Sequence, residues 1–203
     1  MYPEFSVPGV RPEDTWQLFN VSNYTYYRQK VADLQAGICP FCTIDPAVNQ
    51  VLYGNRSWRL WKNEMAPRSG QECQLIIPSR RHIDSISDLT FDEWKDLRDM
   101  LVWSQSNLGV GANGVLLVRT GDPARNAKSV SHLHFNFQYP TGKDRVEVTI
   151  AKSSGDLANK LPVLIIWEKL RVAMERGESN PQVVLSPEEW QLIAGKMNPP
   201  APK

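Results

Sequence analysis

Two short patterns in this chain hold residue types that can bind a metal or attack phosphorus. The first is Cys39-Pro-Phe-Cys42, two thiols three residues apart. The second is Ser131-His-Leu-His-Phe-Asn-Phe-Gln138, which contains two of the three histidines, His132 and His134; the third is His82. On a strand, residues 132, 134 and 136 share one face, and Leu133, Phe135 and Phe137 share the other. An apolar side can then enter a core while His132, His134 and Asn136 line a polar surface. The plainer reading is a half-buried strand that merely carries two imidazoles. Thiolate and imidazole, however, are the donors zinc prefers in a closed four-coordinate site, and Cys-x-x-Cys has zinc-knuckle spacing. A dithiol redox pair, or two buried thiols capping a helix end, would use the same spacing. Two thiolates need two more ligands. If His82 and His132 supply them, His134 stands beside the metal site with an imidazole that can act as a nucleophile. Its ordinary pKa of about 6.5 leaves much of it neutral at physiological pH.

Composition narrows the setting. The chain has 203 residues, 23 Lys and Arg against 22 Asp and Glu, and a formal net charge of +1. That balance gives no strong reason to expect nucleic acid or an anionic membrane as partner, although Arg80 with Arg81 and Arg125 with Lys128 form local basic pairs. No stretch approaches the roughly 20 apolar residues of a membrane span. The opening residues lack the apolar region of a signal peptide, so a cytoplasmic location is expected. Three cysteines, an odd number, do not suggest a disulfide framework. Cys73 reads as a buried thiol.

The elements that must position these residues follow from periodicity and caps. Residues 1–21 read as an irregular arm. Ser22 to Gln35 is a helix, with Ser22 as N-cap and Gly37 just past its end. Val51–Tyr53 and Ser57–Trp61 read as strands joined at Gly54-Asn55, with Trp58 and Trp61 on opposite faces. Residues 73–78 make a short strand that Pro78 ends. Thr90 and Glu93 form a capping box that opens a helix to about Leu108. Residues 113–119 and 130–138 are strands separated by a polar loop, Thr120–Ser129. Residues 145–150 alternate and predict one more strand. A helix over 157–176 carries Leu161, Leu164, Ile165, Trp167 and Leu170 on its apolar face. Ser186 and Pro187 open a last short helix, and 198–203 reads as a disordered tail. The order points to an α+β fold, an antiparallel sheet with packed helices. The expected division is a domain over 22–151 and a C-terminal helical extension over 152–197.

Four segments, in order, resemble the histidine-triad (HIT) superfamily. They are Cys39-Pro-Phe-Cys42, Ile76-Ile-Pro-Ser-Arg-Arg-His82, the following Leu89-Thr90, and Lys128-Ser-Val-Ser-His-Leu-His-Phe-Asn136. The resemblance runs from about Tyr24 to Pro140. It implies a HIT-like sheet and a structural zinc on Cys39, Cys42, His82 and His132. It further implies His134 as the nucleophile, Ser129 as a contact to the phosphate or leaving group, and Asn63 as a ribose contact. Lys128 and Asn136 would add to the nucleotide site. The substrate would be a nucleotide or dinucleotide polyphosphate, and the resemblance allows a homodimer, as in many members. Two positions depart from the pattern: the third signature histidine is Asn136, and Cys73 stands where a histidine usually opens the Ile-Ile-Pro strand. The hydrolase branches carry histidine at the third position and the transferase-like branch carries glutamine. Asparagine, a shorter carboxamide, leans toward transfer or phosphorolysis through a nucleotidyl-histidine. A HIT hydrolase of phosphoramidates or dinucleotide polyphosphates, or a nucleotide-binding module without turnover, are the alternatives.

Overall fold

The computed structural model describes residues 5–44, 49–63, 70–109, 113–178 and 180–197. Backbone contacts divide the chain into two compact units that interleave along the sequence. Among the described residues, one comprises those up to Ile38, Pro123–Ser129 and those from Ala151 onward, and the other Cys39–Asp122 and Val130–Ile150. Where the sequence suggests divisions after 21 and 151, the units divide at Ile38/Cys39 and Ile150/Ala151. The first helix and the 123–129 loop cluster with the C-terminal helices, so sequence order is a poor guide to the division.

In the helical unit, α1 (Thr15–Leu18) and α2 (Tyr24–Gln35) are followed, much later in the chain, by the 22-residue helix Ser154–Glu175. Two short helices, Pro181–Val184 and Pro187–Ile193, complete it. The N-cap of α2 is Asn23, one residue beyond the expected Ser22, and its side chain accepts from the Tyr26 amide. Gly37, at φ 66°, ends the helix as anticipated, with the Ile38 amide bonded to Asp33 O. Capping boxes at Ser153/Asp156 and Ser186/Glu189 start the later helices. Trp167 is fully buried between Tyr24 and Tyr27, and Leu164 and Leu170 bury beside it. Ile165 turns outward, half exposed, so the helix's apolar stripe is narrower than the sequence suggests.

The second unit is an antiparallel sheet backed by one helix. Its strands are β1 (Tyr53–Gly54), β2 (Arg59–Lys62), β3 (Gln71–Pro78), β4 (Val115–Val118) and β5 (His134–Pro140), in the order β1-β2-β3-β5-β4. At the first turn, Asn55 Oδ1 accepts from the amides of Ser57 and Trp58, which closes the hairpin. The helix α3 (Phe91–Asn107) opens with the Thr90/Glu93 capping box. It lays Leu97 and Met100 on Trp58, Leu60, Leu75, Ile77, Phe135 and Phe137. Alternation then commits Trp61, Ile76, Pro78, His134, Asn136 and Gln138 to the opposite face. The α+β architecture expected from the sequence is thus present.

Two expected strands change. Residues 145–150 form no strand, although Val146 and Val148 are half-buried between exposed neighbours as the alternation implies; Ile150 is exposed. A strand also needs a partner, and here the Thr149 carbonyl accepts from the Arg119 side chain instead. The strand expected over 130–138 begins only at His134. Upstream, Leu133 bonds through its amide to Ile83 O and through its carbonyl to the Ser79 amide. His132 therefore lies in a bend and not on the strand face. The tail 198–203 falls outside the described residues.

One ion pair ties the loop after β3 to α3. Arg81 donates to Glu93 through Nε (2.7 Å) and Nη2 (2.8 Å), while the Thr90 amide donates to the same carboxylate at 2.8 Å. The Arg81 bonds, together with those from Thr90, hold the Glu93 carboxyl down at about 2, against an ordinary 4.5. Because the folded-state value is the lower one, this stabilisation is complete above about pH 4.5 and is lost as the pH falls towards 2. Glu93→Gln should therefore cost about 1–2 kcal/mol near neutrality. Denaturant unfolding across the acid range should show that gap closing below pH 4.5. A gap independent of pH would contradict the assignment.

Candidate metal centre and catalytic histidine

Four donor atoms converge at one end of the sheet unit. Cys39, Cys42, His82 and His132 each offer one, all within 4.8 Å of one another. Cys39 Sγ lies 3.3 Å and Cys42 Sγ 3.5 Å from His132 Nδ1. Cys42 Sγ is 3.3 Å from His82 Nδ1, and the two Nδ1 atoms are 3.3 Å apart. A tetrahedral ion with metal–nitrogen bonds near ~2.05 Å and metal–sulfur bonds near ~2.3 Å requires edges of about 3.3 Å between nitrogens and about 3.6 Å between nitrogen and sulfur. These four edges lie close to those values.

Each donor is placed by local structure. The Cys42 and Thr43 amides both bond to Cys39 O, winding the knuckle into a single turn, and Arg59 Nη1 anchors it to β2 through Phe41 O. His82 follows directly on Arg81, which Glu93 holds. His132 is fully buried, and its Nε2 is 2.8 Å from Ser79 O and 3.1 Å from Ser79 Oγ. A carbonyl oxygen only accepts, so Nε2 carries the hydrogen and the Nδ1 lone pair faces the other three donors. A single lone pair facing three donor atoms is better satisfied by a shared cation than by one hydrogen bond.

Electrostatics agree with this reading. Burial pushes His132 down to about 4, partly opposed by its bond to Ser79, so the imidazole is neutral at ordinary pH as a ligand must be. Desolvation, and then the neighbouring Cys39, push the Cys42 thiol up to about 11. Two thiols this close do not ionise together unless a cation compensates them.

His134 opens β5 beside this cluster and is 8% exposed. Its Nδ1 lies 2.8 Å from His132 O. Nδ1 must be the protonated nitrogen there, which puts the lone pair on Nε2. Phe41 packs its ring on His134 with centroids 4.9 Å apart and touches His132 and Trp61 as well. Two residues along β5, buried Asn136 accepts at Oδ1 from Gln74 Nε2 at 2.7 Å. Asn136 Nδ2 is buried and has no hydrogen-bond partner among the described residues. Asn63 donates its backbone amide to Gln74 O, which extends the β2–β3 ladder by one residue.

The structure thus brings Cys39, Cys42, His82, His132, His134, Asn136 and Asn63 into one unit. Ser129 and Lys128 belong to the helical unit. There, Ser129 Oγ is 2.9 Å from Tyr26 OH, and buried Lys128 has its carbonyl bonded to Asn20 Nδ2. Three contributors escaped the sequence reading: Phe41, Ser79 and Gln74. Phe41 and Ser79 sit inside the quoted motifs, but nothing in their type announces a role. Gln74 becomes visible only through strand register. Trp58 and Trp61 do face opposite sides, and both are buried.

No protein-family model and no curated protein matches the chain. Solved structures do. A zinc-bound histidine triad family protein from Mycobacterium smegmatis is 11% identical, over 69% of this chain and 97% of its own, with a TM-score of 0.42. A histidine triad nucleotide-binding protein from Candida albicans is 17% identical, over 69% and 99%, with a TM-score of 0.41. A HIT family hydrolase from Legionella pneumophila Philadelphia 1 is 16% identical, over 53% and 96%, with a TM-score of 0.39.

The four-donor cluster predicts that cobalt(II), added to metal-stripped protein, gives the strong visible bands of tetrahedral thiolate–imidazole coordination. His132→Ala should abolish those bands. Their persistence in that variant would exclude the cluster as the site.

Proposed function

We propose that this chain is a histidine-triad nucleotidyltransferase or phosphorylase acting on a nucleotide or dinucleotide polyphosphate. One observation carries the proposal: His134 donates Nδ1–H to a backbone carbonyl at 2.8 Å, which fixes the lone pair on Nε2. In this reading, Nε2 attacks the α-phosphorus. A phosphorus–nitrogen bond forms while the bond to the leaving oxygen breaks, and its electron pair departs with that oxygen. The oxygen of an acceptor then attacks phosphorus and the imidazole leaves with its lone pair restored. The carbonyl of His132 keeps the ring oriented and stabilises the positive charge it carries in the intermediate.

Asn136 supports transfer or phosphorolysis over hydrolysis. A carboxamide donates a hydrogen bond but has no proton to give, so it suits leaving groups that depart as stable anions, such as phosphate or pyrophosphate. Asn63, at the end of β2, is assigned to the ribose. Cys39, Cys42, His82 and His132 would hold a structural zinc, which would cross-link the knuckle, the loop after β3 and the bend before β5.

His134→Ala should abolish turnover. Intact mass spectrometry of the unaltered protein mixed with nucleotide should reveal one added nucleotidyl group, absent from the variant. Consumption of a dinucleotide polyphosphate should depend on inorganic phosphate. Phosphate-independent consumption would identify a hydrolase, and tight binding with no adduct a non-catalytic module.

A further inference from the structure

On the polar face of the sheet, β3 and β5 set carboxamides within reach of each other. Gln74 lies directly across from Gln138 and bonds diagonally to Asn136, while Gln71 Nε2 donates to Gln138 Oε1 at 3.1 Å. Asn136 and Gln138 are each 6% exposed, so their amide oxygens depend on Gln74 and Gln71 for hydrogen bonds. The Gln74–Asn136 pair is polar in a directional sense. Gln74 offers its amino group, so Asn136 must answer with Oδ1, and Asn136 Nδ2 is turned away as a buried donor with no partner among the described residues. A buried amide that has lost one hydrogen bond is costly unless a ligand supplies the acceptor. His134, two residues earlier on the same strand, shows its ring on this same face.

We infer that Gln74 is a positioning residue that selects which end of the Asn136 carboxamide meets the substrate, so that Nδ2–H is presented to an oxygen of the phosphoryl group attacked by His134. The inference rests on the reading of His134 as nucleophile and adds a residue to it. A carboxamide is symmetrical in shape but opposite in charge at its two ends. Turned over, Asn136 would aim an oxygen lone pair at an anionic phosphoryl oxygen and repel the charge it now stabilises. The side chain at position 74 decides between these two states, because only a donor there demands Oδ1.

The experiment replaces that donor with an acceptor of the same shape. In Gln74→Glu the new carboxylate can only accept, so Asn136 should rotate and offer Nδ2 to it. With the p-nitrophenyl ester of a nucleoside monophosphate as substrate, kcat should fall about 10²-fold with KM little changed, the size of losing one oxyanion donor. Gln74→Met, which removes the bond without imposing the reverse one, should fall less. In an Asn136→Leu background Gln74→Glu should cost nothing further, since the effect runs through Asn136. Equal losses in Gln74→Glu and Gln74→Met, an undiminished loss in the Asn136→Leu background, or wild-type kcat in Gln74→Glu would each overturn the inference.

Nitrogen-15 NMR of the side-chain amides gives a readout independent of turnover. The Gln74 amino group should behave as hydrogen-bonded and that of Asn136 should not, and in Gln74→Glu the Asn136 amino group should become bonded. The reverse assignment in the unaltered protein would overturn the inference even if His134 acquires a nucleotidyl group. The expected assignment without any adduct would instead remove the catalytic reading, and with it the inferred role, while leaving the amide orientation standing.

Discussion

Two backbone carbonyls hold neighbouring imidazoles in opposite tautomers, and the chemistry proposed for the sheet unit depends on that difference. Ser79 O takes the hydrogen of His132 at Nε2 and turns Nδ1 to the thiols. His132 O takes the hydrogen of His134 at Nδ1 and leaves the lone pair on Nε2. One histidine is thereby suited to bind a metal and the other to attack, although they are the same residue type two positions apart. A carbonyl is a fixed acceptor that cannot change role, so neither tautomer can drift while the backbone holds.

The backbone holds because the segment before β5 is pinned from both sides. Leu133 is bonded to Ile83 and Ser79, and the loop that carries those residues is locked by Arg81 to Glu93 at the N-terminus of α3. Phe135 and Phe137 anchor β5 in the core beneath α3. The apolar face of one strand thus fixes the position of the polar face above it, and the capping box that starts a helix also restrains the loop that carries His82. The carboxylate of Glu93 serves both purposes at once.

The carboxamides beyond His134 extend the same logic. Their hydrogen bonds run sideways between strands, so each amide's orientation is set by a partner far away in sequence. This is a more delicate arrangement than a backbone carbonyl, because an amide can rotate by half a turn with no change in shape. It turns the Asn136 amino group away from Gln74 as a buried donor.

Whatever depends on near neighbours in the chain could be read from the residues directly. The helix starts at Thr90 and Ser186, the stop at Gly37 and the turn at Asn55 are local arrangements of backbone groups and short polar side chains. The Cys39/Cys42 spacing was legible as a candidate metal site, and the resemblance of the segments around it added His82 and His132. Alternation was legible but ambiguous. In 145–150 it marked two half-buried valines without a ladder, and at His132 it suggested a strand where a bend lies, because period 2 reports which side is inward and not which backbone pairs with which. Folding in three dimensions settled the rest: the opposed tautomers, the Gln74–Asn136 pair, the ring of Phe41 on His134, and the grouping of Ser129 and Lys128 with the helices. Most of these are contacts between residues distant in sequence, and their direction is set by strand register and carbonyl placement, which no local pattern encodes.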